Sequence, residues 1–283
     1  MMIRFYIMAL LFATGIFSFS VYAEEGKWTK KADMPTARYC SSCEVNGKIY
    51  AIGGSHWHGV FTTVEEYDPA TDTWTKKADM PTPRYGLCTS VVNGKIYAIG
   101  GNSGQNVNPV KTVEAYDPVT NKWTEKPDMP NAKFFADSSG VFGKIYVFGG
   151  VNDPALVEEY DPAVDKWIQK ASMPTSRIQL STCAVDGKIY AIGGRELNVV
   201  PVPFSTVEVY DPLTDKWTKK EDMPTARFIV SSASVNGKIY AIGGAPNFTL
   251  ALSTVEEYDT GLTSQSIEPY NKLATSWGKI KSK

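Results

Sequence analysis

Five cationic residues occupy the same place in five successive copies of one sequence unit, and no other set in the chain is better suited to chemistry. They are Arg38, Arg84, Lys133, Arg177 and Arg227. Guanidinium groups pair well with carboxylates, and a concave mouth of low dielectric strengthens that pairing. If the five copies surround one axis, these cations form a ring that favours an acidic ligand.

The same cations also have a structural interpretation, because ion pairs inside a fold can imitate a binding site. Acidic residues that could neutralise them stand five positions before four of the five, at Asp33, Asp79, Asp128 and Asp222. Arg177 has Ser172 at that position, so a local partner explains it least. Both interpretations stay open. Weaker binding of an acidic ligand by Arg177→Ala, with little change in melting temperature, would favour the ring.

Two variable loops add further candidates for ligand contact. Trp57 can stack on a sugar or hold a peptide, or it can simply cover the adjacent sheet. Glu196, next to Arg195, is a candidate acid or base for sugar chemistry. His56 and His58 are the only histidines, and two ligands in one loop without a third do not indicate a metal site. We therefore predict no catalytic residue, no metal and no cofactor.

The cysteines are Cys40, Cys43, Cys88 and Cys183, all in predicted strands. Cys40 and Cys43 are three residues apart on a strand, so they point to opposite faces and do not predict a zinc or redox pair. Sequence alone does not pair the four, and we expect buried free thiols.

The elements that must position these residues come from an internal repeat. The string Lys-Ile-Tyr-(Ala/Val)-(Ile/Phe)-Gly-Gly starts at Lys48, Lys95, Lys144, Lys188 and Lys238. A second string, Val-Glu-x-Tyr-Asp, follows each copy and starts at Val64, Val113, Val157, Val207 and Val255. Trp74, Trp123, Trp167 and Trp217 follow four of these strings, and Trp28 precedes the first repeat.

Each repeat predicts a small antiparallel sheet. Dipeptides such as Asn93-Gly94 tolerate the positive φ of a type I′ turn, so they close a hairpin into the Lys-Ile-Tyr strand. The Val-Glu-x-Tyr strand, an Asp-Pro turn and the Trp strand complete four strands. A single sheet of this kind cannot bury its aromatic residues, but sheets stacked in a ring can. Helical periodicity is lacking, and the fold class is all-β.

Gly-Gly after the second strand, Tyr-Asp after the third and the spaced Trp resemble the kelch repeat over about residues 27–260. The resemblance implies a kelch-type β-propeller whose first strands line a central channel. Kelch propellers usually have six or seven blades, whereas the repeats here predict five blades of four antiparallel strands. The strand beginning at Trp28 is expected to close the ring by completing the fifth blade. The C-terminal tail, which resembles a decayed copy, is the alternative.

The chain ends divide the sequence further. Residues 1–23 combine a cationic start, an apolar stretch and small residues before Ala23, which is typical of a secretory signal. An uncleaved membrane anchor is the alternative. We expect the propeller over 24–262 and a tail with a degenerate repeat over 263–283. The protein is therefore expected to be secreted or periplasmic, without stable membrane insertion.

Composition narrows the function. Lys and Arg total 29 against 30 Asp and Glu, and no basic block stands out, which argues against nucleic acid as a partner. In some kelch propellers, arginines at this place bind acidic groups of a peptide, and others are copper oxidases or sugar mutarotases. We expect an exported binding module for a protein or glycan on the face bearing the loops between second and third strands. The alternative is a mutarotase or epimerase for an acidic sugar at the channel mouth. The oligomeric state stays open.

Overall fold

A computed structural model of the chain describes residues 30–56, 59–104, 108–198 and 200–261. The chain divides into two units, Met1–Lys31 and Ala32–Lys283. Of the first unit only Lys30 and Lys31 are described, and neither has regular secondary structure. The predicted signal segment, the Trp28 strand, Trp57 and the C-terminal tail lie outside the described residues. In the described part, no helix is long and apolar enough to span a membrane.

Within the described residues, twenty strands form five antiparallel sheets, here called blades 1 to 5. Blade 1 contains β1 (Tyr39–Val45), β2 (Lys48–His56), β3 (Gly59–Val60), β4 (Val64–Asp68) and β5 (Thr73–Lys76). Blade 2 contains β6 (Cys88–Val92), β7 (Lys95–Ile99), β8 (Val113–Asp117) and β9 (Lys122–Lys126). Blade 3 contains β10 (Asp137–Val141), β11 (Lys144–Phe148), β12 (Val157–Asp161) and β13 (Lys166–Lys170). Blade 4 contains β14 (Ser181–Val185), β15 (Lys188–Ile192), β16 (Val207–Asp211) and β17 (Lys216–Lys219), and blade 5 contains β18 (Ser231–Val235), β19 (Lys238–Ile242) and β20 (Val255–Asp259).

The predicted hairpin turns form as the dipeptides require. Asn46 and Gly47 have φ of 52° and 78°, and they join β1 to β2 so that Val45 pairs with Lys48. The Gly-Gly that follows the second strand is needed for close backbone approach. At Gly193, where φ is 59°, a Cβ would lie 2.6 Å from the Arg227 carbonyl oxygen.

Aromatic and aliphatic residues are buried between successive blades, as the repeat predicts. Between blades 3 and 4, Phe148 and Tyr210 are 0% exposed and belong to one apolar cluster. The repeated Trp fixes the same junction, because Trp217 donates its indole N–H to the Ala171 carbonyl at 2.9 Å. Each blade thus buries apolar surface that it cannot bury alone.

The innermost strands β1, β6, β10, β14 and β18 lie next to one another in that order, and residues from all five line one channel. The prediction of an all-β propeller with five blades is confirmed. The loop after the second strand meets the segment before the innermost strand, for example at the bridge between Ile178 and Arg195. Both connections therefore lie on one face, which is called the loop face below.

Blade 5 differs from the others, since its described residues form three strands. Val255 on β20 is 57% exposed, whereas the equivalent Val207 on β16 is 3% exposed. The fourth strand predicted for this blade begins at Trp28, and that residue lies outside the described part of the chain.

Candidate binding site at the channel mouth

The five predicted cations are buried inside the blades and do not form a ring of free charge. Each pairs with the glutamate at the second position of the third strand of its own blade. The pairs are Arg38–Glu65, Arg84–Glu114, Lys133–Glu158, Arg177–Glu208 and Arg227–Glu256. The side chains of the five cations are 0–2% exposed. In the described residues, these charges are therefore screened from a ligand by the blades themselves.

Arg84 shows how the repeat builds this pair. Its Nη2 lies 2.7 Å from Glu114 Oε2, and its Nη1 donates to the carbonyls of Gly100 and Thr112 at 2.7 and 2.9 Å. Thr82 of the repeated Thr-x-Arg motif donates its hydroxyl to the same glutamate at 2.8 Å. Burial lowers the pKa of Arg84, and the Glu114 carboxylate opposes that shift.

The partner that the sequence suggested is therefore not the one that the fold uses. Asp79 instead pairs with Lys76 on the surface, at 3.2 Å. Arg177, for which Ser172 left no local partner, pairs with Glu208 like the other cations. The glutamate that recurs in every Val-Glu-x-Tyr string was the signal that could have predicted this arrangement.

A rim of four residues surrounds the channel on the loop face, and sequence reasoning missed it. Gly86, Phe135, Gln179 and Ile229 precede the innermost strands of blades 2 to 5 and have φ of 57°, 59°, 55° and 52°. A chain of backbone hydrogen bonds joins them from blade to blade, Phe135 to Gly86 at 3.2 Å, Gln179 to Phe135 at 3.0 Å and Ile229 to Gln179 at 2.9 Å. Positive φ in a bulky residue is strained, and such strain concentrates at functional sites. Glycine at Gly86 was the sole sequence signal.

Below the rim lies a channel of about 490 Å³, lined by residues of the innermost strands. Hydroxyl groups bridge successive blades along it, such as Ser41 to Thr89 at 2.9 Å and Ser181 to Ser232 at 2.7 Å. Among the described residues that line the channel, Asp137 is the one with a formal charge. Its Oδ2 accepts the Thr182 N–H at 2.6 Å. Burial raises the pKa of Asp137 to about 6, against the hydrogen bonds that lower it.

Arg195 stands on the loop face beside this rim. Its Nε donates to Gln179 Oε1 at 2.6 Å, and Nη1 donates to the Glu196 carbonyl at 3.0 Å. The guanidinium carbon lies 5.5 Å and 5.3 Å from the ring centres of Phe228 and Phe248. Of the predicted cations that are described, Arg195 is the one that contacts the rim, and it is 8% exposed. The five repeated cations are paired inside their blades.

Glu196 is exposed, and its carboxylate accepts a hydrogen bond from the Asn198 amide at 2.5 Å. The five repeated cations are buried in their own ion pairs, and Arg195 is the cation that lies next to Glu196, whose backbone carbonyl accepts a hydrogen bond from Arg195 Nη1. Trp57 belongs to the residues that the structure does not describe.

Exposed apolar side chains gather on the loops of blades 4 and 5 and form what is called the apolar patch. It consists of Leu197, Val200, Val202, Phe248 and Leu250. Arg195 joins the two loops through its contact with Phe248, which is 63% exposed. On the opposite face the exposed apolar residues stand singly in turns, such as Val119 and Leu213. Single exposed apolar residues are ordinary, whereas several of them on two loops that Arg195 links form the kind of surface that marks an interaction site.

The cysteines are free thiols in the structure. Cys88 and Cys183 are buried as expected, and burial raises the pKa of both to about 12. Cys40 is exposed, contrary to that expectation, and Cys43 is intermediate. The first repeat has one residue fewer between its cation, Arg38, and its hairpin glycine, Gly47, and the pairing of β1 with β2 shifts between Tyr39 and Ser41.

Comparison with known proteins supports the architecture. The family model described as "Kelch motif" matches residues 36–81, 83–130, 143–174 and 176–224, which together make up more than half of the chain. No curated protein matches the sequence. A solved structure titled "Structure of YjhT" matches with a TM-score of 0.73 and 20% identity, over 83% of this chain and 85% of that chain. At this identity the likeness extends to the fold alone.

Proposed function

Because the chain belongs to the kelch repeat family, we propose that it is a binding module that recognises a protein through its loop face. The family makes binding of a protein the function to test first. The exposed side chains of this chain then indicate which face binds the partner. The rim residues, Arg195 and the apolar patch lie together there.

The apolar patch is the observation that carries this proposal. Phe248 and Leu250 of blade 5 are 63% and 54% exposed, and Val200 of blade 4 is 71% exposed. The rim residue Ile229 is 60% exposed, and it follows Phe228, whose ring centre lies 5.5 Å from that of Phe248. Aromatic and aliphatic anchors next to an arginine are the residue types that dominate protein interfaces.

Arg195 is the group through which an acidic side chain of the partner would bind. Its Nε and Nη1 are held by Gln179 and by backbone carbonyls, so the guanidinium plane is oriented before a ligand arrives. Such preorganisation reduces the entropy lost on binding. The acidic ligand expected from the five repeated cations is thus proposed for Arg195 instead.

The test is selection of peptides from a phage-displayed random library, followed by biolayer interferometry with the selected peptides. Phe248→Asp and Ile229→Asp should each weaken binding at least tenfold, because a charge replaces an apolar anchor. Leu213→Asp is the matched control, since Leu213 is 79% exposed on a turn of the opposite face. Circular dichroism establishes that all three variants are folded.

The proposal fails if the library gives no binder. It also fails if the selected peptides bind Phe248→Asp and Ile229→Asp as tightly as the wild type. An equal loss in Leu213→Asp would place the interaction on another face.

We also propose that the protein is exported, on the basis of the signal pattern in residues 1–23. Expression in a bacterial host followed by fractionation and intact mass measurement tests this. The expected product is periplasmic or secreted and begins at Glu24. A full-length chain in the cytosol or membrane fraction would contradict export.

The alternative function is mutarotation or epimerisation of an acidic sugar. Glu196 stands next to Arg195, so an acid or base and a cation for a carboxylate occur together beside the rim. Proton NMR of anomer exchange in N-acetylneuraminic acid and glucuronic acid tests this reaction. Faster exchange with the wild type than with Glu196→Gln would favour the enzyme, and equal exchange in all samples would exclude it for these sugars.

A further inference from the structure

The channel carries a charge opposite to the one expected from the repeated cations. Ser and Thr are the most frequent residues of its lining, which also contains apolar residues such as Leu87 and Leu180, and Asp137 supplies a carboxylate. The equivalent positions in the other four repeats are Ser41, Cys88, Ser181 and Ser231, so Asp137 is the one acidic residue at this place. The channel is therefore adapted to a ligand group that carries hydrogen-bond donors and positive charge.

The Asp137 carboxylate is oriented by the neighbouring blade. Its Oδ2 accepts the backbone N–H of Thr182 at 2.6 Å and lies 3.2 Å from the Thr182 hydroxyl. Both contacts use the same oxygen, and the backbone N–H of Ser138 is also hydrogen-bonded to this carboxylate, so three of its four lone-pair positions are in use. Asp137 also lines the channel. A donor that enters the channel thus meets a carboxylate oxygen with spare acceptor capacity.

Charges on the surrounding elements do not neutralise Asp137. The facing thiols of Cys88 on β6 and Cys183 on β14 have a pKa raised by burial, so they are neutral. The pairing partner on β11 is Phe148. Lys133, the cation that precedes β10, is 3.7 Å from Glu158 and donates to the Gly149 carbonyl at 2.9 Å.

Depth in the channel sets the length of the group that fits. Asp137 follows the rim residue Phe135 by two positions, which is about 7 Å of extended chain. A lysine ammonium on its four-carbon stem reaches that far from a backbone held at the rim. The ammonium has three donors, and the channel offers a carboxylate and several hydroxyl oxygens.

We propose that the channel below the rim binds the ammonium group of a lysine side chain from the protein that docks on the loop face. This inference rests on the proposed function. The partner would then need two features, an apolar segment that contacts the apolar patch and a lysine whose side chain enters the channel. Burial disfavours the charged form of the Asp137 carboxylate, and a cation bound next to it stabilises that form.

The probe is Nα-acetyl-lysine methylamide, whose side-chain ammonium is free, titrated into the protein and followed by proton-nitrogen NMR. N-acetyl-norleucine methylamide is the matched neutral probe. We expect the lysine probe to shift the Thr182 and Ser138 amide signals, and the norleucine probe to leave them unchanged. Asp137→Asn should weaken binding of the lysine probe at least tenfold.

Acid provides a second readout that needs no substitution. Protonation of Asp137 removes the attraction, so affinity of the wild type for the lysine probe should fall about tenfold between pH 7.5 and pH 5. The norleucine probe should show no such dependence. If Asp137→Asn fails to fold, this pH dependence decides the proposal.

Equal shifts from the two probes, or unchanged lysine affinity at pH 5 or in Asp137→Asn, would overturn the channel site. The failure of this inference and the failure of the proposed function are distinguishable. A lysine-containing library peptide that loses affinity in Phe248→Asp but not in Asp137→Asn would retain the protein-binding module and reject the channel site. Loss of the NMR shifts with no peptide selected would reject both.

Discussion

Replacement of Arg177 by alanine should destabilise the propeller strongly, in contrast to the mild effect expected of an exposed binding residue. Arg177 is 0% exposed, and its Nη1 donates to the carbonyls of Gly193 and Thr206 at 3.1 and 3.0 Å. Its Nη2 pairs with Glu208, which is itself 3% exposed. In the alanine variant the Glu208 carboxylate stays buried, and among the described residues the Thr175 hydroxyl still donates a hydrogen bond to it.

The size of the expected loss of stability follows from the buried Glu208 charge, which Arg177→Ala leaves unpaired. Removal of one partner of a buried ion pair costs about 3–5 kcal/mol in free energy of unfolding. For a domain of this size, each kcal/mol lowers the melting temperature by about 2–4 °C, so 3–5 kcal/mol corresponds to a decrease of about 6–20 °C. Differential scanning calorimetry or circular dichroism at pH 7.5 measures it.

Two control variants distinguish the loss of a buried ion pair from the loss of any positive charge. Lys219→Ala removes a surface pair with Asp222 at 3.4 Å, and should cost less than about 1 kcal/mol because Lys219 is 65% exposed. The double variant Arg177→Met/Glu208→Leu should recover much of the loss, since apolar residues can replace a buried pair. A melting temperature of Arg177→Ala within about 3 °C of the wild type would refute the reasoning.

Three further predictions concern the channel, the rim and the thiols. Burial raises the pKa of Asp137 from 3.8 to about 6, so the folded protein binds this proton more tightly than the unfolded chain, and stability is lost as pH rises through that interval. Asp137→Asn should therefore be more stable than the wild type by about 3 kcal/mol at pH 7.5 and nearly equal to it at pH 4, by urea denaturation. Ile229→Gly should stabilise by about 1 kcal/mol, because φ of 52° strains a β-branched residue, and it should weaken selected peptides; a lower melting temperature would contradict the strain. At pH 8 a thiol reagent should label Cys40 first and reach Cys88 and Cys183 only after denaturation, with mass spectrometry identifying the labelled residue.

The repeated pattern was sufficient to predict the blades because their determinants are local. Alternating apolar residues, the Asn-Gly turns and the Gly-Gly steps act within about ten residues of one another, and five copies in phase exclude other topologies. The repeat also predicted that aromatic residues are buried between stacked sheets, and the hydrogen bond from Trp217 to Ala171 joins two successive blades.

The glutamates that pair with the repeated cations could not be predicted from such local patterns. Arg177 and Glu208 are 31 residues apart in the sequence. They meet because β16, which carries Glu208, belongs to the same blade as β14, which Arg177 precedes. Two of the aspartates suggested by sequence distance, Asp79 and Asp222, belong to the surface pairs Lys76–Asp79 and Lys219–Asp222.

By itself the sequence determined the all-β repeat, the number of blades and the face that carries the variable loops. The tertiary structure alone decided which charges are hidden and which are available. Burial depends on the neighbours that a side chain meets across blades, and these neighbours come from distant parts of the chain. For the same reason Phe135, Gln179 and Ile229 became a rim, and Asp137 became the charge inside the channel, although none of the four belongs to a recurring motif.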